Sequence, residues 1–304
     1  MINLRYHIVS LTAVFLALGL GILTGTTVID QEVVKGLRAN TRALQTDLNE
    51  KRDQVGRLER QVDLYEGFSD AVVPPLLQGT LAGRAVVVLS DDQTSGDLVR
   101  TISDTVTLAG AKRPARVGLT ERWALEQPAT AQQLANVLGT STTDREDLIS
   151  EAATRLAERL AGTGDATAQS DLIKRLEDSG FLDVDDLPQS GTFPAANALV
   201  VVVTSGAEGA VPDEDAFFMP LMRRLSAARI VGVAEAMGVP RSLAEKVRGD
   251  RALSRAVCTI DHVDTVAGRL SLAYALRDVV LGRPAGHYGI RGGAQGVAPD
   301  VKAA

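Results

Sequence analysis

IVSLTAVFLALGLGIL, residues 8–23, carries no charged side chain, and its reading decides how the rest of the chain is built. With Thr24–Ile29 it supplies roughly 22 helix-compatible residues, enough to cross a hydrocarbon core of about 30 Å. A cleaved secretory signal is the competing reading. Against it stand a poor basic region (Arg5, with His7), an overlong apolar run and the lack of an A-x-A site. The expectation is an uncleaved anchor over residues 1–29, lying in a lipid bilayer. Ala13, Ala17, Gly21 and Gly25 recur every four residues and form one smooth stripe, the kind of surface on which two membrane helices approach closely. Gly and Ala are also simply common in membrane helices. Arg5 favours a short tail inside, but Lys35, Arg38 and Arg42 follow the span, so the positive-inside count does not decide orientation. A short tail before a large body is the usual signal-anchor arrangement, which places the body outside the cytoplasm.

Outward from the span, Val34, Leu37, Thr41, Leu44, Leu48, Lys51, Val55, Leu58, Val62 and Tyr65 step by three and four. These are a and d positions of a coiled coil, and the remaining positions are largely polar. Residues 30–73 therefore read as a rod, with Leu37, Leu44, Leu48, Val55, Leu58 and Val62 as the seam of a parallel homodimer. Asp47 and Arg52 are placed to pair between in-register chains. One amphipathic helix lying on the following domain is the alternative, but it calls for a broader apolar stripe. At about 1.5 Å per residue the rod would stand the next domain some 50–60 Å from the membrane. Pro74-Pro75 is expected to end it.

Beyond the rod, about 230 residues remain, enough for one or two ordinary domains. Arg84–Leu89, Ala115–Leu119, Leu199–Val203, Arg229–Ala234 and Ala256–Ile260 read as short buried strands. They alternate with helical patterns at 97–109, 214–228, 241–248 and 266–281. This alternation predicts an α/β body over residues 80–285, doubly wound around a mainly parallel sheet. A helical stretch at about 129–180 is an insertion into it or one of its layers. The Gly-rich segment 286–304 is expected to be a mobile tail.

Chemistry-bearing motifs are sparse. Net charge is −6 without a long basic block, which argues against nucleic acid. A single cysteine, Cys258, rules out an intramolecular disulfide framework. The loop Ser90–Gly96 follows the first strand where a nucleotide loop would sit. It has neither glycine signature, and its two acids would repel phosphate. Asp183, Asp185 and Asp186 lack the Gly and terminal Glu of a calcium loop and read as a solvated turn. No nucleophile motif is present. The chain reads as a non-enzyme without a resident cofactor. His287 and Tyr288, flanked by Gly286 and Gly289, are the candidate partner-contact site, since glycine permits close backbone approach. A loose end with one docked aromatic is the alternative.

The two ends of the chain carry a resemblance. The N-terminal MINLRYHIVSLTAVFLALGLGILTG resembles the start of the mycobacterial copper transport protein B (MctB) family. Asp261-His262-Val263-Asp264-Thr265, Gly268-Arg269 and Gly286-His287-Tyr288-Gly289 resemble its ending. The order of anchor, rod and α/β body is also similar, so the resemblance spans essentially the whole chain. It implies an actinobacterial envelope protein in copper homeostasis, described as an outer-envelope pore for copper efflux. The same family is also described as SteB, an anchored partner of SteA in envelope assembly and division. That description implies a non-catalytic scaffold recruiting an envelope partner protein. About five short buried strands do not make the alternating ~10-residue strands of a β-barrel pore. If copper is handled directly, soft side chains are the candidates. These are Met219, Met222, Cys258 and His262 as ligands, with Met237 and His287 also available. Core packing is the competing explanation for the methionines, and the family supplies no ligand motif to map here.

Overall fold

The computed structural model describes residues 4–28, 30–112, 114–162, 166–186 and 193–300. It divides into two units, residues 1–68 and 69–304. The first unit is helical. Helix α1 (Leu4–Val28) contains the stretch Arg5–Gly25, which is long and apolar enough to cross a membrane. Ala13, Ala17, Gly21 and Gly25 lie along it at four-residue intervals with solvent-exposed surfaces. Helix α2 (Asp30–Leu77) follows. On its portion in the first unit, Leu37, Leu44, Leu48, Val55, Leu58 and Val62 are each 52–64 % exposed. The side chain of Val34 lies outside the described residues.

Pro74 and Pro75 do not end this helix, which runs on to Leu77. A proline inside a helix costs about 3 kcal/mol because it removes an amide donor and crowds the preceding turn. Here the last turn belongs to the second unit and is held by packing. Val73, Leu77 and Leu81 are buried, and the Tyr274 hydroxyl donates to the Leu76 carbonyl at 3.0 Å.

The second unit is an α/β body around a seven-stranded sheet of order β3-β2-β1-β4-β5-β6-β7. Its strands are β1 (Val86–Ser90), β2 (Ala115–Leu119), β3 (Leu182–Asp185), β4 (Leu199–Val203), β5 (Ile230–Ala234), β6 (Val257–Ile260) and β7 (His287–Tyr288). Every pairing is parallel except that of the edge strand β3 with β2. All five β4 residues, LVVVV, are buried, as a strand covered on both faces requires. Alternate residues feed separate cores. Val200 and Val202 join Val87 and Leu89 on one face, while Leu199, Val201 and Val203 join Val86 and Val88 on the other. The first core is closed by α4 (Pro128–Leu138), α5 (Arg145–Ala161), α6 (Ala166–Asp178), α7 (Met219–Leu225) and α8 (Leu243–Gly249). The second is closed by α3 (Gly96–Leu108) and α10 (Val266–Val280). A short helix, α9 (Leu253–Ala256), leads into β6.

Local signals explain where these elements start and stop. Ser95, Asp144 and Thr265 cap α3, α5 and α10 through side chains that accept from helix amides. The stretch expected as one helix over 214–228 is broken. Glu214–Phe218 forms a wide π turn before α7, because Pro220 has no amide to continue a regular ladder. The segment from residue 286, expected to be mobile, instead supplies β7. Gly289 and Gln295 donate backbone amides to Gly296 and His287 in the stretch that follows, at 2.8 Å each. Asp183 and Asp185, expected in a solvated turn, lie on the edge strand β3. Its alternation, Leu182 and Val184 inward against Asp183 and Asp185 outward, is the half-buried pattern of a sheet edge. Residues 163–165, inside the stretch expected to be helical at about 129–180, and 301–304 lie outside the described residues.

Candidate functional site

Parallel sheets present loops and helix starts at their carboxyl edge, and ligands bind there. In this body that edge carries a row of carboxylates, and most of them fasten loops. Asp91, after β1, accepts from the Gln93 amide (3.2 Å), Thr94 Oγ1 (2.6 Å), and the Ser205 amide (2.8 Å) and Oγ (2.9 Å). Its carboxylate thus occupies the loop amides that a phosphate would need. Glu235, after β5, is fully buried. It accepts from Thr204 Oγ1 at 3.0 Å, Ser242 Oγ at 2.6 Å and the Leu243 amide at 2.6 Å. Burial raises its pKa, and these hydrogen bonds oppose the rise.

The most tightly built part of the edge lies after β6. The Asp261 side chain is fully buried and that of Arg248 is 2 % exposed. Arg248 Nη1 donates to Asp261 Oδ2 at 2.6 Å, its Nε to Thr259 Oγ1 at 2.8 Å, and its Nη2 to the Tyr288 carbonyl at 3.0 Å. Asp261 also accepts the amides of Ile290 (2.8 Å) and Arg291 (3.2 Å). Burial pushes the Asp261 pKa up, but the Ile290 amide and Arg248 outweigh it, so the net shift is down. Two glycines permit the fit. A Cβ on Gly289 would lie 2.0 Å from Asp261 Oδ1, and one on Gly268 would lie 1.9 Å from the His262 carbonyl oxygen. The stretches Asp261–Thr265 and Gly286–Gly289 are therefore two halves of one lock between β6, α10 and the C-terminal segment.

The structure does not gather the candidate soft ligands. Met219 and Met222 are buried in the core on one face of the sheet, and Cys258 in the core on the other. Burial pushes the Cys258 thiol up to about 12, so it remains protonated at neutral pH. His262 is buried, and neither ring nitrogen has a hydrogen-bond partner of normal geometry. Met237 is half exposed on the loop after β5. Among the described residues no three His, Cys, Asp or Glu side chains form a metal-holding group. Of the expected contact pair, Tyr288 is half-buried and His287 is buried. The His287 ring lies between Thr259 Oγ1 (3.0 Å) and the Ser254 carbonyl (2.8 Å), and its side chain is buried. Sequence reasoning missed Arg248 and Glu235, since nothing local marks either one. The lock was legible in part, as two motifs rich in glycine and histidine that had no evident chemistry.

Burial lowers the pKa of both His262 and His287. Asp261 and the Val297 carbonyl oppose the shift at His262, and the Ser254 carbonyl opposes it at His287. A depressed histidine pKa means that the unfolded chain binds more protons. The stabilisation is then complete above the unfolded value near 6.5 and is lost as pH falls through the folded value. Melting of the full chain is expected to drop between pH 7.5 and 5, by at most about 1.4 kcal/mol per pH unit for each histidine. Glu235, shifted the other way, works against this trend. The comparison that isolates the histidines is therefore wild type against H262Q/H287Q. An identical pH slope in the double variant would contradict the assignment.

A further feature of the edge is open space. A cleft of about 570 Å³ lies at the carboxyl ends of β1 and β2, walled by Asp91, Asp92, Arg116, Glu121, Asp183 and Asp185 among others. Burial, with the neighbouring Asp91 charge adding to it, raises the Asp92 pKa against the lowering effect of the Val211 amide.

Comparison with known proteins gives a consistent result along the whole chain. The family model described as "Copper transport outer membrane protein, MctB" matches residues 1–299. The copper transporter MctB of Mycobacterium tuberculosis (strain H37Rv) is 28% identical across 317 aligned positions, covering 98% of this chain and 99% of that protein. The protein of the same name from Mycobacterium leprae (strain TN) is 26% identical across 320 positions, with the same coverage.

Proposed function

This chain belongs to the MctB family, and from that premise we propose that it is a single-span, coiled-coil dimeric envelope protein acting in copper transport. The observation that carries the reading is the family match over residues 1–299, the N-terminal apolar helix included. The apolar helix Arg5–Gly25 supports a membrane location, and relatives named as transporters support a role without catalysis. Dimerisation rests on the exposed a/d row of α2, which an isolated chain would leave in water. Orientation follows the signal-anchor arrangement, with the body outside the cytoplasm. The two cores on opposite faces of the sheet favour a doubly wound body.

Copper is cargo in this reading, and the body handles it without a site built from Met219, Met222, Cys258 and His262. The sheet separates the methionines from the cysteine. The test is the copper content of cells lacking the chain, complemented with wild type or with M219L/M222L/C258A/H262Q. Both are expected to restore copper to the normal level. Failure of a stably folded quadruple variant would show that these side chains ligate the metal after all.

A further inference from the structure

The C-terminal segment is held less by apolar contact than by polar side chains that reach it from other elements. In the sheet, β7 pairs only with β6, and Ile290 and Val297 in the stretch that follows are 60 % and 53 % exposed. Segments with few buried apolar contacts open at a lower free energy than the core. What closes this one includes a chain of hydrogen bonds through the buried His287 ring, and each proton in that chain is assigned by its partner. The Ser254 carbonyl only accepts, so the His287 Nε2 that lies 2.8 Å from it carries a hydrogen. Nδ1 of the neutral ring is then an acceptor, and the Thr259 hydroxyl donates to it at 3.0 Å. Thr259 Oγ1 in turn accepts from Arg248 Nε at 2.8 Å.

The neutral imidazole satisfies every member of this chain, and the imidazolium does not. A proton on Nδ1 would face Thr259 Oγ1 as a second donor, displace the hydroxyl hydrogen from its acceptor and set a second positive charge beside Arg248. The surrounding charges do not offset it. Asp261 is engaged by Arg248 and by the amides of Ile290 and Arg291. Glu245 on α8 is turned to Arg291 at 3.8 Å, and Arg255 on α9 is exposed. Gln295, in the segment itself, accepts the His287 backbone amide through Oε1. Tyr288 packs on the core closed by α3 and α10.

We infer that residues 286–297 form an acid-sensitive strap, which protonation of His287 releases from β6 and α8 while the rest of the body stays folded. In the released strap the ring takes up its proton near the ordinary value of about 6.5, whereas burial holds the docked ring lower. Docking is therefore at full strength above about 6.5 and weakens as pH falls from there toward the docked value. For one such histidine the open fraction rises by at most about 30-fold between pH 7.5 and 5. Release frees the Thr259 and Asp261 amides from the Gly286 and Tyr288 carbonyls and uncovers the backbone edge of β6.

The test is hydrogen exchange of the full chain in detergent micelles, corrected for the intrinsic effect of pH. Protection over 286–297, and at the Thr259 and Asp261 amides, is expected to fall about ten-fold from pH 7.5 to 5, with Val200–Val203 in β4 still protected. H287Q keeps a donor for Ser254 and an acceptor for Thr259 but cannot take up a proton. Its loss over the same segment should be under about three-fold, with His262 present in both proteins. An equal loss in H287Q, no loss in the wild type, or a loss in β4 equal to that of the strap would overturn the inference. A second reading needs no substitution. In NMR of the wild type with labelled histidine, the His287 ring should carry its proton on Nε2 at pH 7.5 and titrate below 6.5 in step with the loss of protection. Titration that leaves the protection of the strap unchanged would also overturn it.

Discussion

Replacing Asp261 with Ala is expected to destabilise the body by about 3–5 kcal/mol, the range for breaking one side of a buried ion pair. The cause is what remains behind. The Arg248 side chain, 2 % exposed, would keep its charge without a counter-ion, and the amides of Ile290 and Arg291 would lose their acceptor. For a unit of this size that loss lowers the melting temperature by roughly 6–20 °C. The double variant R248M/D261L should recover the part of the stability lost to the uncompensated charge, while the amides of Ile290 and Arg291 still lack their acceptor. A shift below about 1 kcal/mol for D261A would mean that the C-terminal segment is held by other contacts, such as His287 with Ser254 and Thr259. Hydrogen exchange locates the effect. The amides of residues 287–296 should lose protection first in D261A, because those nearest to the lock are bonded to it directly.

The second large effect concerns the rod. L44N/L48N/L58N should convert the full chain in detergent from dimer to monomer, as read by light scattering or in-membrane cross-linking. Each leucine is 53–62 % exposed on the isolated helix, and burying a leucine is worth about 1.5–3 kcal/mol. Six such side chains across a dimer amount to as much free energy as a nanomolar association, about 12 kcal/mol. Substitutions of equal polarity at Asn49, Asp53 and Arg60, off the seam, should leave the dimer intact. A triple seam variant that remains dimeric would move the association to α1, where Ala13, Ala17, Gly21 and Gly25 provide the small-residue stripe.

How far the sequence could be read depended on whether each element is held by its own residues or by distant ones. Strand 199–203 falls where its apolar run places it, because a strand buried on both faces has a composition that little else shares, and strand 115–119 shows the alternating burial of a less covered strand. The ends of α5 are equally local, set by Asp144 at one cap and Gly162 at the other. By contrast, β7 is two residues long and has no hydrophobic run. It exists because Thr259, Arg248 and Gln295 reach it from 8 to 40 positions away. Its glycines looked like a sign of mobility but serve close packing, with Gly289 set against the Asp261 carboxylate. The Pro74-Pro75 pair was misleading for the converse reason, since the penalty is local and the compensation, through Val73, Leu77 and Tyr274, is not. At the candidate site, residue type alone overstated the chemistry. Methionine and cysteine are potential copper ligands, yet the alternation of the strands and the position of α7 distribute Met219, Met222 and Cys258 over two separate cores.

The central claim, that this α/β protein acts in copper transport, is tested most directly by the metal content of cells from which it has been removed. Copper and zinc would be measured together in the wild-type, deletion and complemented strains, grown with added copper. The account predicts that copper alone rises in the deletion strain and returns to normal with the full chain. Copper that stays unchanged on deletion, or a rise in zinc equal to that in copper, would contradict it.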